Sequence, residues 1–269
     1  MKIMKLSQTK LMGIVNITPD SFSDGGKYIQ ATQAMAHIET LIQEGADIID
    51  IGAESSRPGA TPLTAEEEIA RLKPILIQYK AHFSTPLSID TTKAEVASFA
   101  LDLGADMIND ISGFRADPTL PKVISQYKAT AILMHMQGNP ETMQHAPHYD
   151  SVIDTVKKSL SESIEIAKAA GIKDIIIDPG IGFGKTVDHN LELLQQLEQF
   201  KSLGYPILIG TSRKSFIGAI TGESVENRLE GSLASGLFAV IKGASILRVH
   251  DVKPHKKALN MLDALLGTR

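Results

Sequence analysis

The stretch Gly45-Ala46-Asp47-Ile48-Ile49-Asp50-Ile51-Gly52 decides how this chain is read. A glycine closes a helical segment, and two residues later a short apolar run begins that contains a polar group near its end. Glycine just past a helix supplies the left-handed C-cap, and a short bounded apolar run is a strand buried on both faces. The pattern recurs as GADMINDI at 104–111, GIKDIIID at 171–178 and GASILRVH at 243–250. Helix, closing glycine and buried strand in repetition mean parallel β-α-β units.

Working outward, strands are expected near 11–15, 48–52, 87–90, 107–110, 130–134, 175–178, 207–210 and 246–249. Helices are expected near 31–44, 65–82, 93–103, 118–127, 151–170, 188–203, 228–243 and 254–266. Thr64-x-x-Glu67 and Thr92-x-x-Glu95 read as capping boxes, and Asp117-Pro118 as a cap followed by proline in the first turn. Roughly eight strand and helix pairs predict an α/β chain, a (β/α)8 TIM barrel forming a single domain over residues 1–269. A doubly wound open sheet is the alternative. The connection after the first strand runs from Asn16 to about Ile29, whereas an ordinary strand-to-helix loop needs about 2 to 6 residues. Its Asn, Thr, Asp and Ser residues around a lone Phe22 suit a binding loop.

Composition narrows the function classes. A net charge of -4 argues against nucleic acid or a membrane surface as partner, so an anionic ligand must be held by a few local cations. The absence of cysteine excludes disulfides, thiolate metal sites and a Cys nucleophile, and fits a reducing compartment such as the cytoplasm. No secretory signal is expected, because Asn16 and Pro19 break the first apolar run. The apolar window 232–249 is interrupted by Lys242, Gly243 and Arg248 and reads as a buried helix followed by a strand.

In a barrel of this kind chemistry lies at the C-terminal strand ends. Those ends carry Asn16, Asp50 with Glu54, Asp90, Asn109 with Asp110, His135, Asp178, Arg213 with Lys214, and Arg248 with His250. Their convergence is the signal rather than any one of them. The run DPGIGFGKT at 178–186 imitates a nucleotide loop but fails on spacing, because Pro179 stands where the first P-loop glycine belongs. Lys185 likewise replaces the third glycine of the dinucleotide fingerprint. The run TSRKS at 211–215 opens a helix after a strand and offers N–H groups, hydroxyls and two cations, an anion site by construction. Metal-ligand spacing is weak, so a magnesium ion must lean on substrate phosphates and an oxygen such as that of Asn16.

These motifs together resemble the dihydropteroate synthases, the pterin-binding sulfonamide targets of folate synthesis. The resemblance covers essentially the whole chain. It is carried by MGIVNITPDSFSDGG at 12–26, IIDIGAESSRPGA at 48–60, SIDTTK at 88–93, INDISG at 108–113, LMHMQGNP at 133–140, IIIDPGIGFGK at 175–185, TSRKS at 211–215 and LRVHDV at 247–252. It implies a transferase in which p-aminobenzoate displaces pyrophosphate from 6-hydroxymethyl-7,8-dihydropterin pyrophosphate, with Mg2+ as cofactor, by a dissociative route. Rivals are a pterin-dependent methyltransferase on a similar barrel and a non-catalytic pterin-binding protein.

The resemblance also implies roles. Asp90, Asn109, Asp178 and Lys214 are expected to bind the pterin, with Ile111 and Met134 lining it. Asn16, Arg57, Arg248 and His250 are expected at the pyrophosphate, Asn16 also at the metal. Phe22, Ser56, Pro58, Phe183, Lys214 and Ser215 are expected around p-aminobenzoate, and Asp90, Lys214, Arg248, His250 and Arg57 to carry the chemistry. Ser56 stands where many relatives have threonine, which keeps the hydroxyl and drops a methyl. The partners implied are these small molecules and a second copy of the chain in a homodimer. Loss of Arg248 is expected to spare a pterin that lacks phosphates.

Overall fold

The computed structural model describes residues 9–17, 27–54, 62–138, 142–143 and 146–267, with backbone alone at 27–30. Eight parallel strands run β1 (Lys10–Asn16), β2 (Ile48–Gly52), β3 (Leu87–Asp90), β4 (Met107–Asp110), β5 (Thr130–Met134), β6 (Ile175–Asp178), β7 (Leu208–Ile209) and β8 (Ile246–Val249). Their order is β6-β5-β4-β3-β2-β1-β8-β7, and the parallel bridge Ile177–Ile207 joins the two ends into a barrel. The helices among the described residues are α1 (Lys27–Gln43), α2 (Ala65–His82), α3 (Ala94–Asp102), α4 (Leu120–Tyr127), α5 (Val152–Ala169), α6 (Val187–Gln195), α7 (Ser215–Thr221), α8 (Leu229–Ile241) and α9 (Val252–Leu266).

The four repeated glycines do what the pattern requires. Gly45, Gly104, Gly171 and Gly243 have φ of 102°, 93°, 87° and 109°. Each donates its N–H three residues back, to Ile42, Leu101, Lys168 and Val240, and the residue after it reaches five back, to Leu41, Ala100, Ala167 and Ala239. That pair of bonds is the Schellman closure, and it satisfies helix carbonyls while turning the chain into the next strand. The aspartate of two repeats has a second use. Asp47 accepts the Leu11 N–H and Asp106 the Leu87 N–H, both at 2.9 Å, so each turn is tied to the neighbouring strand.

Some expected boundaries move. At α2 the Thr64–Glu67 capping box forms, with both reciprocal bonds present. At α3 the Thr92 box does not, since Lys93 occupies the N-cap and makes no side-chain cap. Asp117 supplies that cap instead, accepting the Ala94 N–H at 2.8 Å. Asp117 is thereby used across the helix gap as well as in its own turn, and α4 starts later than expected, with Thr119 as N-cap. The expected helix 188–203 ends at Gln195 and continues as a 3-10 segment over Leu197–Leu203. The apolar window 232–249 is α8 followed by β8, and no helix among the described residues is long and apolar enough to cross a membrane.

Strand parity divides the core. Met12, Ile48, Met107, Ile132, Ile176, Leu208 and Ile246 form a separate buried cluster, the floor inside the barrel. Residues of opposite parity, including Leu11, Ile49, Ile51, Ile89, Ile108 and Ile177, join the larger core beneath the helices. Side chains alternate along a strand, so two residues beyond each floor position the chain again points inward. Those positions are Ile14, Asp50, Asn109, Met134, Asp178, Gly210 and Arg248, and Ser88 on β3 leads in the same way to Asp90. An apolar layer is therefore capped by a polar one at the C-terminal mouth.

Candidate active site

The polar layer is a charge network. Arg248 donates through Nε to Asp50 Oδ2 at 2.6 Å and through Nη2 to Asp90 Oδ2 at 2.8 Å. Asn109 Nδ2 donates to the same Asp50 oxygen at 3.3 Å. Burial pushes the Asp90 carboxyl up to about 7, against the downward pull of Arg248. Its side chain retains 16% exposure to the mouth, so it is enclosed yet reachable. A small cleft opens beside it, lined by Glu54, Glu68, Asp90, Thr91, Thr92, Lys93 and Ile111.

Asp178 ends β6, and its Oδ1 accepts the Gly180 N–H at 2.7 Å. A side chain at Gly180 would put its Cβ 1.9 Å from the His135 carbonyl oxygen, so only glycine lets this turn close against β5. Burial raises the Asp178 carboxyl to about 6, while the Gly180 N–H and the Lys214, Arg248 and Lys185 charges draw it back. Lys214 places Nζ 3.9 Å from the centroid of Phe183, a cation–π contact, and burial lowers its ammonium to about 8. Met134 is buried, Ile111 is partly buried, and Phe183 packs with Met134 and Met143 in a small cluster that Ile111 touches.

His250 follows β8, and its N–H and Nδ1 lie 3.2 Å and 3.1 Å from Ser212 Oγ. Burial, then Arg248 and Arg213, lower the imidazole to about 4, so at neutral pH it enters as a hydrogen-bonding group rather than a cation. Asn16 ends β1 exposed, and Ser215 opens α7 exposed. Phe22, Ser56, Arg57 and Pro58 lie outside the described residues, as does most of the long loop after β1.

Parity and pairing correct parts of the sequence reading. Asp110 and His135 point away from the barrel axis. Asp110 organises the β4–α4 turn, accepting from Ser112 N, Ser112 Oγ and Phe114 N at 2.8, 2.6 and 2.6 Å. His135 Nδ1 meets the buried Lys185 Nζ at 3.0 Å, and Lys185 also donates to the Phe183 carbonyl at 2.9 Å. That lysine, which sequence spacing leaves without a role, locks the glycine loop beside Asp178. The anion site at TSRKS holds fewer free groups than expected. Arg213 is committed to Asp251 by bonds of 3.0 and 2.6 Å and Ser212 to His250, leaving Lys214 to face the site. The chain of Glu54, Lys93 and Glu68, with bonds of 2.5 and 2.9 Å, was equally hidden in the sequence. Its one local signal is a lysine at a helix N-cap, where the macrodipole disfavours a cation.

Compared with known families, residues 12–250 match the model described as pterin binding enzyme. A dihydropteroate synthase of Clostridium beijerinckii is 47% identical over 262 residues, covering 96% of this chain and 95% of that one. The chain belongs to the pterin-binding enzymes, among the dihydropteroate synthases. Solved members of the family share its fold. The Xanthomonas albilineans dihydropteroate synthase with 4-aminobenzoic acid superposes with a TM-score of 0.90 at 45% identity, covering 97% of this chain and 94% of that one. The same enzyme in complex with 7,8-dihydropteroate gives a TM-score of 0.87 at 42% identity, over 98% and 95% of the two chains.

Proposed function

We propose that this chain condenses 6-hydroxymethyl-7,8-dihydropterin pyrophosphate with p-aminobenzoate to give 7,8-dihydropteroate and pyrophosphate. The observation that carries the reading is the inward layer of Asp90, Asn109 and Asp178, acceptor oxygens set beside the cations Arg248 and Lys214. A pterin presents a guanidine-like edge of N–H donors next to a ring carbonyl, so carboxylates and an amide oxygen meet the edge while Lys214 donates to the carbonyl. Met134 and Ile111 line the rings. Phe183 and Ser215, with Phe22, Ser56 and Pro58, form the p-aminobenzoate slot, and Asn16, Arg57, Arg248 and His250 the pyrophosphate end. The relative solved with 4-aminobenzoic acid and with 7,8-dihydropteroate supports the second substrate and the product of this reaction.

The step runs by dissociation. The bond between the pterin methylene and the pyrophosphate oxygen breaks, the oxygen keeps the electron pair, and Arg248 and His250 meet the charge that develops there. Asp90 and Asp178 face the cationic methylene-pterin left behind. The arylamine nitrogen forms the new C–N bond, and its surplus proton passes to water or to the departing pyrophosphate. No protein nucleophile takes part.

Among the described residues no three carboxylates or imidazoles gather around a metal site. Mg2+ keeps several waters and takes its remaining oxygens from substrate phosphates and one or two protein groups, so here it would lean on the side-chain oxygen of Asn16, exposed at the end of β1. When bound, the ion neutralises leaving-group charge. The proposal includes a cytoplasmic location and a homodimer. Exposed Phe238 and Ile241 on α8, with Met261 and Leu265 on α9, supply apolar surface for the latter.

Binding of the pterin should depend on pH in one direction. Asp178 is neutral below about 6, and a protonated carboxyl offers a donor where the ligand also donates. Asp90, assigned to the same edge, is raised to about 7, so affinity for a phosphate-free pterin is expected to begin to weaken near pH 7 and to fall further as pH drops through 6, by about tenfold or more per pH unit below both. Calorimetry between pH 5 and 8 checks this, and affinity that rises on acidification contradicts it. The reaction itself is tested by mass spectrometry. With Mg2+ and both substrates the chain should form 7,8-dihydropteroate, and folded protein that forms none rules the proposal out.

A further inference from the structure

Asp50 receives no ligand in the reading above, yet it is the most enclosed charge in the site. Its side chain has no exposed surface, whereas that of Asp90, the second partner of Arg248, keeps 16%. Its Oδ2 accepts both Arg248 Nε and Asn109 Nδ2, and its Oδ1 has no partner among the described residues. A wholly buried carboxylate survives only where its partners are worth the desolvation, and an apolar residue of similar volume would serve packing better.

The two contacts of Arg248 are unequal. Asp90 lies at the mouth and can exchange the guanidinium for a ligand donor, while Asp50 has no exposed surface through which to do so. Asp50 also settles which way the Asn109 amide faces. A carboxylate only accepts, so the Asn109 NH2 must turn to it and the carbonyl oxygen is left for a ligand N–H. We propose that Asp50 is the positioning residue of both halves of the site, pinning Arg248 through Nε on the phosphate side and fixing Asn109 as an acceptor on the pterin side. The inference rests on the assignment of those two sides made above. Asp50 transfers no atom.

The test is calorimetric, with two probes: inorganic pyrophosphate with Mg2+, and 6-hydroxymethylpterin. Asp50→Asn is isosteric and is expected to weaken both by about tenfold or more. In an Arg248→Gln background the same change should no longer alter pyrophosphate affinity, because the group it pins is gone, and should still weaken the pterin through Asn109. A residue serving only packing would weaken both probes equally in both backgrounds. That result overturns the inference, as does an Asp50→Asn protein that binds both probes as the parent does. Should Asp50→Asn fail to fold, Asp50→Glu decides. It keeps the charge and moves the oxygen, so lost affinity supports positioning, and parental affinity refutes it. A parent protein that binds neither probe refutes instead the assignment of the site.

Discussion

Asp178→Asn is expected to weaken pterin binding by about 10- to 150-fold, or roughly 1.5–3 kcal/mol, without loss of stability. The Gly180 N–H at 2.7 Å holds one carboxyl oxygen, so an asparagine that keeps this bond must turn its NH2 toward the ligand. Donor then meets donor. Stability should move the other way. The folded-state value of about 6 lies above the ordinary 3.8, so ionising Asp178 costs the folded protein roughly 3 kcal/mol above pH 6 and nothing below 3.8. A neutral amide removes that cost, and the thermal midpoint at pH 7 should hold or rise while affinity falls. Lost affinity with a collapsed midpoint would make Asp178 a structural residue. Unchanged affinity would remove it from the pterin site.

Arg248→Ala should be more damaging. It strips the guanidinium from Asp50 and from Asp90, and breaking a buried pair from one side costs about 3–5 kcal/mol. Asp90, already raised by burial, loses the charge that holds it down and takes up a proton more readily. The deficit relative to the parent should therefore shrink as pH falls toward about 7, below which Asp90 is protonated in the parent as well, and turnover should be lost at any pH. The structure also revises the expectation that a phosphate-free pterin is spared. Arg248 is bonded to the very carboxylate assigned to the pterin edge, so both ligands should suffer. Thermal melts at pH 7 and pH 9, with titration of pyrophosphate and of a pterin, check these points. A deficit that grows on acidification contradicts the buried-pair account.

How much of this was legible in the sequence follows from how local each cause is. The glycine closures at Gly45, Gly104, Gly171 and Gly243 depend on residues within six positions, and the pattern alone located four of the strands. The strand assignments placed Asp90, Asn109, Asp178 and Arg248 at C-terminal strand ends, and the structure, not the sequence, separated them as inward-facing from Asp110 and His135. Pairing across the barrel was not legible. Nothing near Arg213 foretells Asp251 as its partner, and nothing near Thr92 says that Asp117 will cap α3. Nor does the sequence show that Asp50, 198 positions from Arg248, holds its Nε. These partners meet only when the chain closes on itself, so their side-chain commitments could not be read from the sequence.

The most direct test of the proposed reaction is pyrophosphate release followed with and without p-aminobenzoate, using the pterin pyrophosphate and Mg2+. The account predicts release that depends on p-aminobenzoate and matches 7,8-dihydropteroate formation one for one. Steady release at the same rate without p-aminobenzoate, or none with it, would contradict the account.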